Sequence, residues 1–294
     1  MENSGHSDIP IKNYIDNLSS IQLCVRIYGD FLDEVSGNKS FKLKLWLDNL
    51  ASDEIVISFG GAFSNHLLAL SAQGKRDGFK TLGIIRGGEP AVLSPYLQAM
   101  QRNGMVLRFI SREEYRQKES TEFIDKLKAE IPTCLVIPEG GAGMKGVNGA
   151  MEMVNSFEPY DYVFLPGATA TTLAGVAKKL KGSSTRVGCV QVLKGENILK
   201  NEVLRTANIK LKDLGNVEVF KQYHFGGYAK WNAELLAFQR RWMDNTEIPL
   251  DLVYGTKAMF GLLDLAQRGY FPPNSRVLYL HTGGLGPVSL KAGD

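Results

Sequence analysis

The chain has 294 residues, which is long enough for one or two domains with a sizeable core. Its 34 lysine and arginine residues against 31 aspartate and glutamate residues give a net charge of +3, which is too balanced to indicate a nucleic acid or an anionic membrane as a partner. No apolar run approaches the roughly 18 residues of a membrane-spanning helix. The polar segment 1–8 lacks the apolar core of a signal peptide, so we expect a cytoplasmic protein.

The cysteines and histidines give no sign of a metal site. Cys24, Cys134 and Cys189 are scattered through apolar runs and form no CxxC pair, so we expect buried free thiols in a reducing compartment. The histidines lack the spacing of metal ligands, and no Ser/His/Asp arrangement is visible. The adjacent carboxylates Glu113 and Glu114 stand at the start of a charged helix, where we expect them to be solvated.

Strands and helices alternate along most of the chain. Residues 1–20 are a polar lead-in with one short helix candidate. The pattern then predicts strand 21–28, a helix ending near 51, strand 54–59, helix 66–76, strand 80–85, helix 95–103, strand 106–110, helix 119–130, strand 133–137, helix 146–156, strand 160–165, a helix ending near 180, strand 186–193, a less regular stretch 196–222, a helix ending near 245, helix 256–268 and strand 276–281.

This alternation is typical of βαβ units with mainly parallel sheets. Because the strands are too many for one small sheet, we predict an α/β protein of two three-layer αβα domains. Four polar turns follow predicted strands, at 60–66, 139–143, 167–172 and 282–284. Ligands of such folds bind beyond the carboxyl ends of the strands, so we expect these turns to line one cleft.

The segment Val35 to Leu43 places two lysines, Lys39 and Lys42, in the first turn of a helix. A solvated helix start is the ordinary interpretation. However, the helix dipole favours acidic residues there, so two lysines indicate an anionic ligand. A lysine crowded by positive charge also has a lowered pKa, which suits a nucleophile that forms a Schiff base.

The turn from Gly167 to Thr172 is built from small residues and three threonines. Small residues let backbone N–H groups approach a phosphate, and threonine hydroxyls add donors. The turn has neither the GK[ST] of a Walker loop nor the GxGxxG of dinucleotide folds. An anion-binding loop and an ordinary tight βα turn therefore both stay open.

Five other polar or aromatic residues stand at strand ends or loop ends. Ser64 is either a helix cap or, with Asn65, a group that holds a substrate carboxylate and assists proton transfer. Tyr228 and Tyr254 are either core residues or groups that stack on a ring or exchange protons. Thr282 is either a turn residue or a hydroxyl that hydrogen-bonds a heteroaromatic nitrogen.

In their order and spacing these motifs resemble one family. They are Ser-Gly-Asn-Lys-Ser-Phe-Lys-Leu at 36–43, Gly-Ala-Phe-Ser-Asn-His at 61–66, Ile-Pro-Glu-Gly-Gly at 137–141, Thr-Ala-Thr-Thr-Leu-Ala-Gly at 169–175, Tyr254, and His-Thr-Gly-Gly at 281–284. Together, over residues 21–288, they resemble the pyridoxal-phosphate enzymes of the 1-aminocyclopropane-1-carboxylate deaminase and D-cysteine desulfhydrase family.

The resemblance implies the tryptophan-synthase-β-like fold, known as fold type II. It also implies a homodimer and the cofactor pyridoxal 5'-phosphate between two domains. The large cofactor-binding domain would comprise residues 1–41 and 149–294, and the small domain residues 42–148.

The resemblance further implies a role for each matching residue. It implies catalytic roles for Lys39, Ser64, Tyr254 and Tyr228, and cofactor contacts for Lys39, Lys42, Asn65, Ala168, Thr169, Ala170, Thr171, Thr172 and Thr282. Lys39 matches the lysine that binds the cofactor covalently, and Lys42 matches a lysine near the cofactor phosphate. Segment 168–172 matches the phosphate-cradling loop, and Thr282 matches the residue near the pyridine nitrogen.

Several positions depart from the family pattern. Ala168 and Thr171 replace glycines of the phosphate loop, and Thr171 would displace the backbone if its φ were positive. Gly143 replaces a common asparagine. Gly255 replaces the glutamate of the cyclopropane deaminases and the serine or threonine of the desulfhydrases. Thr282 matches the desulfhydrases, since the deaminases have leucine there.

From this we expect α,β-elimination on a small amino acid, as in the desulfhydrases that convert D-cysteine into pyruvate, sulfide and ammonia. One alternative is ring opening of 1-aminocyclopropane-1-carboxylate to 2-oxobutanoate and ammonia, which the missing glutamate disfavours. The other is a non-catalytic amino-acid or nucleotide-binding module, which the substituted phosphate loop favours.

Overall fold

The computed structural model describes residues 6–11, 21–31, 33–156 and 158–285. Its strands are β1 (His6–Pro10), β2 (Ile21–Tyr28), β3 (Ile55–Gly60), β4 (Lys80–Arg86), β5 (Val106–Ile110), β6 (Cys134–Val136), β7 (Tyr162–Gly167), β8 (Arg186–Gln191), β9 (Val217–Phe220) and β10 (Ser275–Leu280). Its α-helices are α1 (Asn38–Leu47), α2 (Asn65–Asp77), α3 (Pro95–Arg102), α4 (Arg112–Arg116), α5 (Thr121–Glu130), α6 (Met144–Ala150), α7 (Thr171–Lys179), α8 (Ile198–Ala207), α9 (Ala233–Thr246) and α10 (Gly255–Gln267).

The larger sheet has six strands in the order β1-β2-β10-β7-β8-β9. All neighbours are parallel except β1, which pairs antiparallel with β2. Strand β7 is buried along its whole length, as its continuous apolar run predicts for a strand covered on both faces. Trp242 of α9 and Met259 of α10 belong to the core on one face, and Leu173 of α7 and Leu199 of α8 belong to the core on the other.

The smaller sheet has four parallel strands in the order β5-β4-β3-β6. Leu67 of α2 and Leu97 of α3 pack in the core on one face, whereas Tyr115 of α4 and Leu127 of α5 pack in the core on the other. Both sheets are therefore middle layers between helices, and the predicted fold class of two three-layer αβα units is confirmed.

Helix α1 contacts the cores of both sheets. Phe41 belongs to a core of the large sheet, and Leu43 belongs to a core of the small sheet. The predicted domain limit between residues 41 and 42 thus falls within α1, and the division into 1–41 with 149–294 and 42–148 stays a prediction.

Three expectations need correction. Part of the polar lead-in forms strand β1. Both carboxylate oxygens of Asp8 bind the buried guanidinium of Arg26 at 2.7 Å, and this ion pair compensates for the missing apolar pattern. The rest of the lead-in, residues 1–5 and 12–20, lies outside the described residues, and so does any short helix predicted there. The less regular stretch 196–222 contains α8 and the short strand β9. Of the three free cysteines only Cys189 is buried.

Within the described ranges, every helix is too short or too polar to cross a lipid bilayer.

Candidate active site

A cavity of about 510 Å³ opens where the two sheets present the carboxyl ends of their strands. All four polar turns contribute to its wall, so the predicted convergence on one cleft is confirmed. The wall includes Lys39, Lys42, Ser64, Asn65, Ala168, Thr169, Ala170, Thr172, Tyr228, Tyr254 and Thr282. Thr171 alone among the predicted site residues is absent from this wall; it is fully buried as the first residue of α7.

Gly37 determines where α1 begins. Its φ is 68°, and a Cβ atom on it would lie 2.2 Å from the carbonyl oxygen of Thr282, so a side chain cannot stand there. The next residue, Asn38, donates its backbone N–H to the same carbonyl at 3.1 Å. The start of α1 is therefore held against the 282–284 turn, which places Lys39 and Thr282 in the same cavity wall.

Asn38 is a functional-site residue to which the sequence reasoning assigned no role. Its Nδ2 donates to the Thr172 hydroxyl at 2.9 Å, and its Oδ1 accepts a hydrogen bond from Lys39 Nζ at 2.5 Å. Asn38 thus connects the lysine to the start of α7. In the sequence, only the position of Asn38 between Gly37 and Lys39 indicated that it could belong to the site.

The two lysines are less basic than free lysine. Burial lowers the pKa of Lys39 to about 8, and the negative charge of Asp251 partly opposes this. Burial, together with the charge of Lys39, holds the pKa of Lys42 well below its ordinary value. The lowered pKa predicted for this segment is present, but at Lys39 its cause is burial rather than crowding by positive charge.

Lys42 is a buried cation with no ion pair or hydrogen bond to any residue in the described part of the chain. An unpaired buried ammonium group is costly unless an anion joins it. The Thr171 N–H at the start of α7 donates to the Thr169 carbonyl at 2.8 Å, whereas the Thr172 N–H has no carbonyl partner within the helix, and the helix dipole is positive at that end. Lys42 and the start of α7, which line the same cavity, suit a doubly charged anion such as a phosphate.

The turn 168–172, which the family resemblance predicts to hold a phosphate, is strained at Ala170 rather than at Thr171. Thr171 is part of α7, so its replacement of a glycine requires no positive φ. The left-handed residue is Ala170, with φ 57° and ψ −9°. The other departure, Gly143, has φ 101° and ψ 172°, a conformation open almost only to glycine, which explains why asparagine is absent there.

Ser64, Asn65 and His66 start helix α2. The Ser64 hydroxyl accepts the Leu67 N–H at 3.2 Å, so the helix-cap interpretation is confirmed, and the same residue lines the cavity. Asn65 Nδ2 donates to the Gly284 carbonyl at 2.9 Å, while its buried Oδ1 has no hydrogen-bond partner among the described residues.

His66 is held as a neutral ring. Its Nε2 lies 2.8 Å from the Ser58 hydroxyl, which itself donates to the Ile137 carbonyl, so Nε2 is the donor of that pair. Burial, Lys42 and Lys39 keep the pKa of His66 well below its ordinary value. The buried Nδ1 is left as an acceptor without a partner in the part of the chain that the structure describes.

Tyr228 and Tyr254 meet at the cavity wall, with ring centroids 6.2 Å apart in an edge-to-face arrangement. Burial raises the pKa of Tyr254 well above its ordinary value. Lys257 Nζ donates to the carbonyls of His224 and Gly227 at 3.0 and 2.6 Å, which holds the segment before Tyr228.

Asp251 is a second residue near the cavity whose role the sequence did not predict. Its buried carboxylate accepts the N–H groups of Val253, Tyr254 and Gly255 at 2.9, 2.7 and 2.8 Å. It thereby fixes the backbone of Tyr254 and the start of α10. Asp251 lies within the apolar run 249–254, so the hydrophobic pattern gives no sign of its role. Only its position ahead of the predicted helix 256–268 indicated that it could cap that helix.

These observations agree with a pyridine cofactor that carries a phosphate. The site offers an anion cradle, a lysine with a partly neutral amine, and the unpartnered acceptors Asn65 Oδ1 and His66 Nδ1. Among the described residues, no group of three His, Cys, Asp or Glu side chains is placed to hold a metal ion.

Comparison with known families gives the decisive observation. The sequence model of a family described as pyridoxal-phosphate dependent enzymes matches residues 30–283. The chain belongs to this family. As a pyridoxal-phosphate dependent enzyme it uses the cofactor predicted from the sequence, and Lys39, Lys42 and the start of α7 are the groups suited to hold it.

The relatives of this pyridoxal-phosphate enzyme agree with the predicted family resemblance. A putative 1-aminocyclopropane-1-carboxylate deaminase of Pyrococcus horikoshii is 28% identical over 77% of this chain and 72% of its own length. A 1-aminocyclopropane-1-carboxylate deaminase of Pseudomonas syringae is 31% identical, over 52% of this chain and 48% of its own.

Solved structures confirm the predicted fold type II. The crystal structure of a homologue of this deaminase superposes with a TM-score of 0.76, at 26% identity over 95% of this chain and 89% of the other. A hydrogen sulfide-producing enzyme of Fusobacterium nucleatum superposes with a TM-score of 0.67 over 96% of each chain; at 15% identity it shows the fold alone.

Proposed function

We propose that this enzyme is a lyase that catalyses α,β-elimination on a small amino acid, as in D-cysteine desulfhydrases. With D-cysteine and one water the products are pyruvate, hydrogen sulfide and ammonia. The Cα–H and Cβ–S bonds break, and the sulfur leaves with the bonding electrons and takes up a proton. The water then hydrolyses the Cα–N bond, which supplies the keto oxygen of pyruvate and releases ammonia. When bound, pyridoxal phosphate supplies the electron-withdrawing group that makes the Cα proton acidic.

The residues of the cavity divide this work. Lys39, whose pKa of about 8 leaves part of its amine neutral, is the proposed base at Cα and the covalent anchor of the cofactor. Ser64 and Asn65 hold the substrate carboxylate. Tyr254, paired with Tyr228, delivers the proton to the leaving group.

The observation that favours elimination over ring opening is the presence of Thr282, the desulfhydrase-like residue, in the cavity wall. The packing at Gly255 disfavours the glutamate of the deaminases, although it crowds the serine or threonine of the desulfhydrases as well. A Cβ atom on Gly255 would lie 3.0 Å from Asp251 Oδ2, and the Gly255 N–H already donates to that oxygen. A glutamate, which the family resemblance associates with ring opening, does not fit unless Asp251 moves. Thr282 adds a hydroxyl to the cavity wall where those deaminases have leucine.

Ring opening of 1-aminocyclopropane-1-carboxylate is the second candidate, and the relatives that bear this activity in their names favour it. The third interpretation, a non-catalytic binding module, loses its support. The substituted loop residue Thr171 is helical, so its replacement of a glycine does not require the backbone to move.

The experiment is a product assay with the pyridoxal-phosphate-loaded enzyme. Pyruvate and sulfide are measured with D- and L-cysteine, and 2-oxobutanoate with 1-aminocyclopropane-1-carboxylate. The proposal requires faster release of pyruvate and sulfide. Release of 2-oxobutanoate alone would reverse the assignment, and no keto acid from any of the three would refute elimination on cysteine.

A pair of serine variants tests the substrate contact. Ser64 and Ser120 both cap a helix by accepting a backbone N–H at 3.2 Å, but only Ser64 lines the cavity. Each change to alanine should cost about 1 kcal/mol of stability. Only Ser64→Ala should also lower kcat/KM; an equal loss in both would mean that Ser64 is a cap alone.

The homodimer implied by the family resemblance is part of this proposal. Light scattering on the purified enzyme should give twice the mass of one chain; the mass of a single chain would contradict it.

A further inference from the structure

Two arginines in the cavity wall have no assigned role. Arg86 is the last residue of β4, and Arg112 is the first residue of α4. Neither guanidinium makes a hydrogen bond or an ion pair with any residue of 6–11, 21–31, 33–156 or 158–285. Both are therefore available to an anion that enters the cavity.

The charges around the cavity leave these arginines in excess. The charged side chains of the wall are Lys39, Lys42, Arg86, Arg112 and Glu139. The carboxylate of Glu139 lies 3.3 Å from the ammonium group of Lys118 outside the wall. The proposed function uses Lys39 as the cofactor anchor and Lys42 for the phosphate, and it leaves both guanidinium groups without a partner.

The position of Arg86 relates it to the substrate. Its Nη2 lies 3.6 Å from the place where a Cβ atom of Gly61 would stand, so the guanidinium packs beside Gly61. Gly61 belongs to the turn of Ser64, whose N–H donates to the Gly61 carbonyl at 3.1 Å. The Arg86 guanidinium therefore lies beside the turn that is proposed to hold the α-carboxylate.

Neighbouring elements hold both arginines at one edge. In the register of the small sheet Arg86 pairs with Ile110 of β5, and Arg112 follows two residues later. The Arg86 guanidinium also lies 5.9 Å from the ring centroid of buried Tyr115, an aromatic contact that restricts its orientation.

We propose that Arg86 and Arg112 form a subsite for an oxyanion on the β-carbon of the substrate. The substrate class is then the oxyanion esters of serine, in which phosphate or sulfate is the leaving group. Guanidinium groups bind such oxyanions through paired charged hydrogen bonds. This inference rests on the proposed elimination.

The reaction balances for this class. From O-phosphoserine and one water, the Cα–H and Cβ–O bonds break, the water then hydrolyses the Cα–N bond and supplies the keto oxygen, and the products are pyruvate, ammonia and phosphate. The phosphate leaves with the electron pair of the Cβ–O bond, and the two guanidinium groups neutralise the charge that develops on it.

The test compares a charged with a neutral leaving group in the pyridoxal-phosphate-loaded enzyme. Pyruvate release is measured with O-phosphoserine and with O-acetylserine, in both D and L forms. The ratio of kcat/KM for the phosphate ester to that for the acetyl ester should fall roughly 10- to 100-fold in Arg86→Gln and in Arg112→Gln, as expected for a lost charged hydrogen bond. Arg116→Gln, at the opposite end of α4 and outside the cavity wall, is the matched control and should keep the wild-type ratio.

A binding measurement separates failure of the subsite from failure of the elimination. O-phosphoserine, titrated against the visible absorbance of the cofactor, should bind about tenfold or more tightly than serine, and this preference should disappear in the two cavity variants. The preference without pyruvate release from any substrate would refute the elimination and keep the subsite. Pyruvate release with a ratio unchanged in both variants, or equal binding of the two ligands, would overturn the subsite.

Discussion

Replacement of Asp251 by asparagine tests whether this buried carboxylate organises the cavity. In the wild type its two oxygens accept three backbone N–H groups, at 2.7 to 2.9 Å. Asparagine keeps one acceptor oxygen and presents an NH₂ group in place of the other. At least one N–H at the start of α10 then faces a donor instead of an acceptor.

The expected cost follows from these contacts. A hydrogen bond to a charged group contributes about 1.5 to 3 kcal/mol, and a buried N–H without an acceptor adds a desolvation cost, so we expect Asp251→Asn to lose about 3 kcal/mol. For a chain of 294 residues that corresponds to a fall in Tm of about 5 °C. Because the charge of Asp251 raises the pKa of Lys39, its removal should also lower that pKa below about 8.

Two assays check this prediction. Differential scanning calorimetry gives the Tm, and the pH dependence of cofactor binding, followed by visible absorbance, reports the pKa of Lys39. Asp244→Asn, an exposed position on α9, is the control and should change neither. An unchanged Tm together with an unchanged pH midpoint in Asp251→Asn would refute the role assigned to this carboxylate.

Three further predictions concern the backbone and the pH. Ala170→Gly should leave the free energy of unfolding within about 1 kcal/mol of wild type, because relief of the left-handed conformation offsets the lost methyl group. Ala174→Gly, inside α7, should lower the free energy of unfolding by about 2 kcal/mol, measured by urea unfolding. Equal losses in the two variants would contradict the strain at Ala170. Gly143→Asn should lower the free energy of unfolding by about 1 to 3 kcal/mol. Gly78→Asn should lower it by only a few tenths of a kcal/mol, because Gly78 caps α2 with φ 82° and ψ 16°, a conformation that asparagine tolerates. A lower Tm for Gly78→Asn than for Gly143→Asn would refute this. Lys39 has a pKa of about 8 in the folded protein and an ordinary value of 10.5, so the unfolded chain binds more protons between these pH values. The free energy of unfolding of the cofactor-free protein should therefore rise by about 2 kcal/mol between about pH 7.5 and 9.5. A Lys39→Met variant with the same pH dependence would contradict this.

The alternation of strands and helices and the polar turns after strands were sufficient to predict the layered fold and the position of the cavity. These patterns can be read from neighbouring residues alone, and in a parallel sheet the carboxyl ends of all strands lie at the same edge. Strand β1 was missed because its stability depends on Asp8 meeting Arg26, 18 residues away, rather than on apolar alternation.

The parts of the site that the sequence left open depend on contacts between distant segments. Asn38 acquires its role from Thr172, 134 residues away, and the left-handed conformation of Ala170 is a property of the folded loop. Asp251 affects Lys39 through space, which no motif spacing encodes.

The most direct test of the central claim is to locate the covalent attachment of the cofactor. The holoenzyme is reduced with borohydride, digested, and its peptides are fragmented by mass spectrometry, which separates Lys39 from Lys42 three residues away. We expect the reduced cofactor on Lys39, and its loss in Lys39→Ala. A label on Lys42 or on Lys257, or no label on any lysine, would contradict the assignment of this cavity as the cofactor site.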